Sequence, residues 1–477
     1  MTRAFDLVVI GAGPAGAAAA LAAALHGLSV GLVDESVAAG GQVYRAPAPG
    51  AVAPRGKHDP DAASGDALRA ALAASDVQTF FGRRVWAVAD GFSVEAVGEQ
   101  GPQTFTASCL IAATGAHERV VPFRGWTLPG VIGLAAATIL IKSQGMLPGR
   151  RVVVAGCGPL LVAVAAKIVA AGGELAAVVD LSSRAEWILA LPGLIRRPRS
   201  LARGAAWMRA IGRASVPVVF RHAVTAAEGR DRVERVVIGP VDRDGAPTAG
   251  HQVEFDVDTL VVGHGLVPGA EIPRLLRARM HFDPLRGGWV PQTDDYGETS
   301  IRGLFAIGDG AGIRGAEPAA LSGQIAGLAV ARRHGRLNAG DFARLTASLQ
   351  RQQRSYLKFS DAVAAPMALR AGHVRAISAD TIVCRCEDVT RAQIEAAARD
   401  GAADVNQMKH FTRCGMGPCQ GRMCGDVAAE LLAQARGMSR ETVGFWSGRP
   451  PLRPVPLSDL IGVFNYSDIP IPKPAPL

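Results

Sequence analysis

Seven cysteines occur in this chain, and five of them fall between Cys384 and Cys424. They run as Cys384-Arg385-Cys386, then Cys414, then Cys419 and Cys424 with Gln-Gly-Arg-Met between them. Thiolates are soft ligands that suit zinc or an iron–sulfur cluster, and a [2Fe–2S] centre needs four. Such clustering, in a chain expected to be cytosolic, points to metal rather than disulfides. The expected ligands are Cys384, Cys386, Cys419 and Cys424, with Cys414 spare; structural zinc is the competing reading. His410 is expected at the surface or in packing, because a Rieske-type site would need two histidines. Arg385, Lys409, Arg413 and Arg422 are near in sequence and would offset the negative charge of four thiolates. Gly415, Gly417 and Gly421 would let backbone N–H groups turn toward sulfur. Cys109 and Cys157 read as small buried residues.

The second pattern with chemistry in it is Gly11-Ala12-Gly13-Pro14-Ala15-Gly16. It follows the apolar run Leu7–Ile10, opens an alanine-rich stretch, and is followed by a second apolar run that ends at Asp34-Glu35. Strand, glycine turn, helix and strand with a terminal acid form the context in which G-x-G-x-x-G reads as dinucleotide binding. Gly11 permits the tight turn, Gly13 lets a pyrophosphate approach the backbone, and Gly16 lets helix and strand pack closely. The helix N-terminus offers unpaired N–H groups to phosphate, and Asp34 can take ribose hydroxyls. Gly40-Gly41-Gln42 suits a backbone bending around an isoalloxazine. Gly308-Asp309 ends another apolar run, and that Asp can hold a ribityl hydroxyl. A second unit opens at Gly156-Cys157-Gly158-Pro159-Leu160-Leu161 and runs to Asp180, with Leu161 in place of the third glycine. Whether that site is occupied, and by NAD, NADP or an adenine nucleotide, stays open.

These patterns need elements to hold them. The 477 residues exceed one core and predict two or three domains of α/β class. Apolar content of 49% excludes general disorder. A net charge of +9 with scattered basic residues and 5% aromatics shows no stacking platform for nucleic acid. No secretory signal precedes the first strand and no stretch is apolar enough to span a bilayer, so a cytoplasmic location is expected. Strands are expected near 77–81, 85–88, 105–108, 110–113 and 256–262, and helix over 184–213 and from about Ala316. Residues 46–64 read as an exposed excursion, 332–379 as a polar helical connection, and 448–477 as an extended proline-rich tail. Thr390 is expected to cap a helix over 390–399, with Gln393 completing a capping box.

Taken in order, Gly11-x-Gly13-x-x-Gly16, Gly40-Gly41-Gln42, Ala113-Thr114-Gly115, Gly156-x-Gly158 and Gly308-Asp309 resemble the two-dinucleotide-domain flavoproteins of pyridine nucleotide-disulfide reductase type. The nearest resemblance is to the α subunits of bacterial flavin-dependent amine dehydrogenases. These include octopine and nopaline oxidases, D-hydroxyproline dehydrogenase, hydrogen cyanide synthase and, more distantly, heterotetrameric sarcosine oxidase. Val383–Thr390 and Gly415–Cys424 resemble the [2Fe–2S] module of bacterioferritin-associated ferredoxin type. The resemblance implies FAD on Gly11, Gly13, Gly16, Asp34, Glu35, Gly41, Gln42, Thr114, Gly115, Gly308 and Asp309, with Val85 a weaker candidate at the adenine. It implies a flavin-binding domain over 1–125 and 285–335, a second nucleotide-binding domain over 126–284, a helical linker over 336–379 and a [2Fe–2S] domain over 380–447. It also implies a partner β subunit of amine-oxidase type with its own FAD, often an FMN between the subunits or a small third subunit, and an external electron acceptor. No general base or nucleophile is nominated in this chain. No Cys-x-x-Cys sits beside either nucleotide unit, which disfavours a dithiol relay. The rival readings are a stand-alone NAD(P)H-dependent reductase and a non-enzymatic iron–sulfur regulatory module.

Overall fold

The structure, a computed structural model, describes residues 2–48, 50–51 and 60–461. Its first sheet is built on the strand Thr2–Ile10, paired in parallel with Val30–Val33 on one side and Gly101–Ala112 on the other. Gln78–Phe80 extends it beyond Val30–Val33, and Leu304–Ala306 joins it at Leu110–Ala112, again in parallel. Alternate residues of the first strand feed two separate cores. Leu7 and Val9 pack with Leu32, Ile111 and Phe305, and Val8 and Ile10 with Phe105 and Leu110. Burial on both faces is what makes its second half, Leu7–Ile10, read as an unbroken apolar run.

The helix Pro14–Ala24 is nearly all alanine because it is wedged between this sheet and the helix Ala316–Arg333. A Cβ on Gly323 would lie 2.0 Å from the Ala15 carbonyl oxygen, and one on Gly327 2.5 Å from that of Ala19. Glycine at those two positions is what lets the helices touch.

A second parallel sheet runs Val218–Phe220, Glu174–Asp180, Arg151–Gly156, Thr259–Gly263, Val131–Gly133. The antiparallel meander His222–Glu228, Arg235–Pro240, Val253–Asp256 lies beside it. Ala116–Glu118 and Leu266–Pro268 pair where the chain passes between the two sheets. A third unit packs the helices Arg391–Arg399, Val405–Thr412 and Gly425–Arg436 behind the small hairpin of Ile382–Cys384 and Val389–Thr390. The Thr390–Gln393 capping box is present.

Several expected elements take different bounds. The two strands expected over 105–113 are one strand, Gly101–Ala112, because its first half pairs with the added strand Ser93–Gly98. Residues 256–262 divide between the meander and the parallel sheet. The helix over 184–213 breaks before Pro198 into Arg184–Leu194 and Pro198–Arg213, since proline disfavours helical backbone in the residue before it. The excursion ends early, in a helix that starts at Pro60. Of the tail, Leu452 is buried and its N–H donates to the Trp86 carbonyl at 2.7 Å; Pro470, Pro472, Pro474 and Pro476 lie outside the described residues. No helix among the described residues is long and apolar enough to cross a membrane.

Candidate functional site

Four separated turns meet around the first glycine motif. Gly11, at φ +103°, packs so tightly that a Cβ would sit 2.3 Å from the Ala113 carbonyl oxygen, and one on Gly16 would sit 1.8 Å from that of Gly11. Gly13 is different: a Cβ there would meet only the Gly41 Cα, at 3.8 Å, an ordinary contact with no clash. Gly13 also caps the helix that begins at Pro14, so free N–H groups point out beside it. The Asp34 carboxylate accepts from the Ala12 N–H at 2.6 Å and the Ser36 N–H at 2.7 Å, which ties the acid to the turn. Gly40 donates to the Ala12 carbonyl at 2.9 Å and brings Gly41 against Gly13. Gln42 is exposed at the same corner.

Thr114 Oγ1 donates to the Gly269 carbonyl, and the Gly269 N–H returns to the Gly115 carbonyl at 2.8 Å. A Cβ on Gly310 would reach Thr114 Oγ1 at 3.0 Å, and one on Gly308 the Ala15 Cβ at 2.8 Å. Asp309 accepts from the N–H groups of Arg314 and Gly315 at 2.9 and 3.0 Å; burial nonetheless pushes its carboxyl up. Glu35 is exposed and faces Arg84 at 3.9 Å, while Val85 is half-buried against the core containing Phe5 and Val33. Gly269, Gly310, Gly323 and Gly327 were not singled out in the sequence. Only the Gly323-x-x-x-Gly327 spacing offered a signal.

The cysteines form a second site. The sulfurs of Cys384, Cys414 and Cys424 lie within 4.8 Å of one another and are buried, with Cys414 and Cys424 at 3.9 Å. Cys414, expected to be spare, is thus inside the group. Hydrogen bonds from the Cys414 and Cys424 thiols pull Cys384 down to about 2, and the same bonds to Cys384 push both donors up. One thiolate forms readily here, and further ones need a cation for company. Burial raises the thiol of Cys386, and the neighbouring Cys419 sulfur adds to it. A Cβ on Gly417 would lie 2.2 Å from the Cys386 Cβ. Such a donor set, all sulfur, fits a thiophilic metal centre.

The cations near this site are already engaged. Arg413 pairs with Glu387 at 2.8 Å and Arg422 with Glu271 at 2.7 Å. Arg385 lies over Trp126 and Lys409 over Trp446. The glycines have a packing reason: Cβ atoms on Gly415 and Gly421 would strike the Trp446 indole at 3.0 and 2.5 Å. His410 is exposed and meets the Phe411 ring edge-on.

Comparison with known proteins bears on both sites. A family model described as pyridine nucleotide-disulphide oxidoreductase matches residues 5–335, and one described as sarcosine oxidase A3 domain matches residues 378–462. One subunit of the opine oxidase of Rhizobium meliloti (strain 1021) is 32% identical over 468 residues, covering 96% of this chain and 98% of that protein. Hydrogen cyanide synthase subunit HcnB of Pseudomonas protegens is 33% identical over 461 residues, covering 94% and 96%. L-proline dehydrogenase from P. horikoshii shares the fold with a TM-score of 0.70 at 20% identity, over 96% of this chain and 80% of that one. T. acidophilum thioredoxin reductase does so with a TM-score of 0.52 at 20% identity, over 70% and 99%.

Proposed function

The chain belongs to the pyridine nucleotide-disulphide oxidoreductase family, and from that premise we propose that it is the electron-transferring subunit of a heteromeric dehydrogenase for a secondary amine, opine or imino acid. The observation that carries this reading is one chain holding both a glycine cradle and a group of clustered cysteines. FAD would lie on Gly11, Gly13, Gly16, Asp34, Gly41, Gln42, Thr114, Gly115, Gly308 and Asp309. Four of the five cysteines would hold a [2Fe–2S] cluster, with Cys384, Cys386, Cys419 and Cys424 the expected set. When bound, a flavin accepts electrons in pairs and releases them singly, which suits a one-electron cluster.

The work of this chain's own residues is to bind and orient. Gly13 and the N-terminus of the helix Pro14–Ala24 receive pyrophosphate, and Asp34 braces the turn beneath it. Substrate oxidation falls to a partner of amine-oxidase type with its own FAD, an FMN between the two chains, and an external acceptor. The flavin unit comprises 1–125 and 285–335, and the cluster unit 380–447. Two relatives are by name one component of an oxidase or synthase, which supports a complex.

The test is to purify the chain anaerobically, alone and with an amine-oxidase-like partner, and to supply octopine, nopaline or D-hydroxyproline with a dye. Expected are bound FAD and about two irons per chain, with dye reduction only when the partner is present. Full turnover by the isolated chain, or zinc in place of iron, would defeat the proposal.

A further inference from the structure

The two glycine turns of this chain provide an internal comparison. In the first, a Cβ on the middle glycine, Gly13, would meet nothing nearer than the Gly41 Cα at 3.8 Å, an ordinary contact. In the second, Gly158 has φ +87°, and a Cβ there would lie 2.2 Å from Met367 Sδ and 2.6 Å from its Cγ. The Met367 side chain therefore rests on the backbone that a dinucleotide pyrophosphate must approach. Met367 arrives on the short turn Ala365–Met367, which follows the helix Ala339–Ala364. It packs with Cys157, Leu181, Ala223 and Val241, and burial pushes the Cys157 thiol beneath it up to about 12.

The acid of that site is also more deeply enclosed than Asp34, whose two oxygens likewise accept hydrogen bonds but which is only half-buried. Asp180 holds the position of the ribose acid, yet one carboxylate oxygen accepts from the Ser182 N–H at 2.9 Å and its hydroxyl at 2.5 Å. The other accepts from Trp187 Nε1 at 3.1 Å, and Asp180 is only 3% exposed. Leu161 is fully buried where the third glycine would stand. The segment 365–375 is fastened across the mouth. The Met367 carbonyl accepts from Arg119 at 3.2 Å, Arg370 pairs with Glu186 at 2.9 Å and donates to the Arg243 carbonyl at 2.9 Å, and the His373 N–H donates to the Asp244 carbonyl at 3.2 Å.

We propose that Met367 fills the dinucleotide site of the second unit, so that NADH, NADPH and adenine nucleotides are excluded from that site. The nicotinamide cofactor that the fold family suggests does not fit the residues present. The inference stands apart from the identity of the amine substrate, since it concerns only what the second turn can hold.

The test is direct binding by calorimetry and equilibrium dialysis on the flavin-loaded protein, with NADH, NADPH and ATP as probes. The wild-type chain is expected to bind none of them more tightly than about 1 mM. Met367→Gly, checked for retained flavin absorbance, is expected to gain at least about tenfold in affinity for one of the three, and the volume-conserving Met367→Leu to stay closed. A wild-type Kd below about 100 μM, or a nicotinamide or adenine nucleotide other than FAD released from the purified protein on denaturation, would overturn the closure. No gain in Met367→Gly, nor in that variant combined with Leu161→Gly, would overturn the role given to Met367.

Discussion

Cys384 shows how far a single side chain is decided by its neighbours. Two buried thiols lie beside it and pull its thiol down from the ordinary range. Replacing it with serine removes both the shared acceptor and a soft ligand, and hard oxygen is a poor substitute for iron. Cys384→Ser and Cys419→Ser are therefore expected to lose the visible absorbance and iron of anaerobically purified protein, while Cys414→Ala keeps about two irons per chain. Loss of iron in Cys414→Ala would move Cys414 into the ligand set. That cysteines of this stretch come together was legible from spacing alone. The place of Cys414 was not, because the loop that folds it onto Cys424 depends on left-handed backbone at Arg413 and Gln420 and on the Trp446 ring, which lies well beyond the motif.

Elements were legible where a periodic pattern and its own punctuation agreed. The strand Thr2–Ile10, the glycine turn and the alanine helix satisfied one local rule after another. The long strand Gly101–Ala112 was seen only in pieces, since Gly101–Thr106 reads as polar edge until Ser93–Gly98 pairs with it. What one element does to another was harder to see, and Glu118 is the sharpest case. It sits in the crossing strand Ala116–Glu118, and its carboxylate accepts from the first N–H groups of the helix Leu134–Gln144. Burial outweighs those bonds and raises its carboxyl to about 7, and Oε1 has no partner among the described residues. The folded state thus holds this proton more tightly than the unfolded chain does. Stability should fall as pH rises from about 4.5 to about 7 and then level off, by up to about 3 kcal/mol. Glu118→Gln keeps an acceptor oxygen and removes the charge. Its melting temperature is expected to exceed that of the wild type at pH 8 and to match it at pH 4, as followed by thermal unfolding across that range. A gain of equal size at both pH values would show that charge burial is not the cause.

At the scale of the whole molecule, two dinucleotide-type units and a cysteine module could be read from motif order, but their attachment could not. It rests in part on residues far apart in sequence that no pattern connects. Arg119 donates to Asp426 at 2.6 Å, and Arg440 donates to the other oxygen of the same carboxylate at 2.7 Å. Arg119 also reaches the Gly287 and Met367 carbonyls at 3.0 and 3.2 Å, and all three side chains are less than one-tenth exposed. Arg119 leaves the crossing strand of the flavoprotein body, while Asp426 opens the helix that directly follows Cys424. One buried carboxylate is therefore among the links between the cysteine module and the body, beside the Arg422–Glu271 pair and the Trp126 N–H bond to the Ile382 carbonyl. A buried ion pair adds little over a well-packed apolar replacement, yet removing one partner leaves uncompensated charge and costs about 3–5 kcal/mol. Asp426→Ala strands two guanidinium groups, and the cost should appear as opening of the module rather than of the whole protein. Amide exchange is expected to accelerate in the helix Gly425–Arg436 by about 100-fold or more, with the strand Arg151–Gly156 unchanged. The triple replacement Arg119→Met, Asp426→Leu, Arg440→Met should recover most of the protection, because it leaves no charge behind. Equal acceleration in strand and helix would mean that body and module open as one unit, and the carboxylate would then be a core residue like any other.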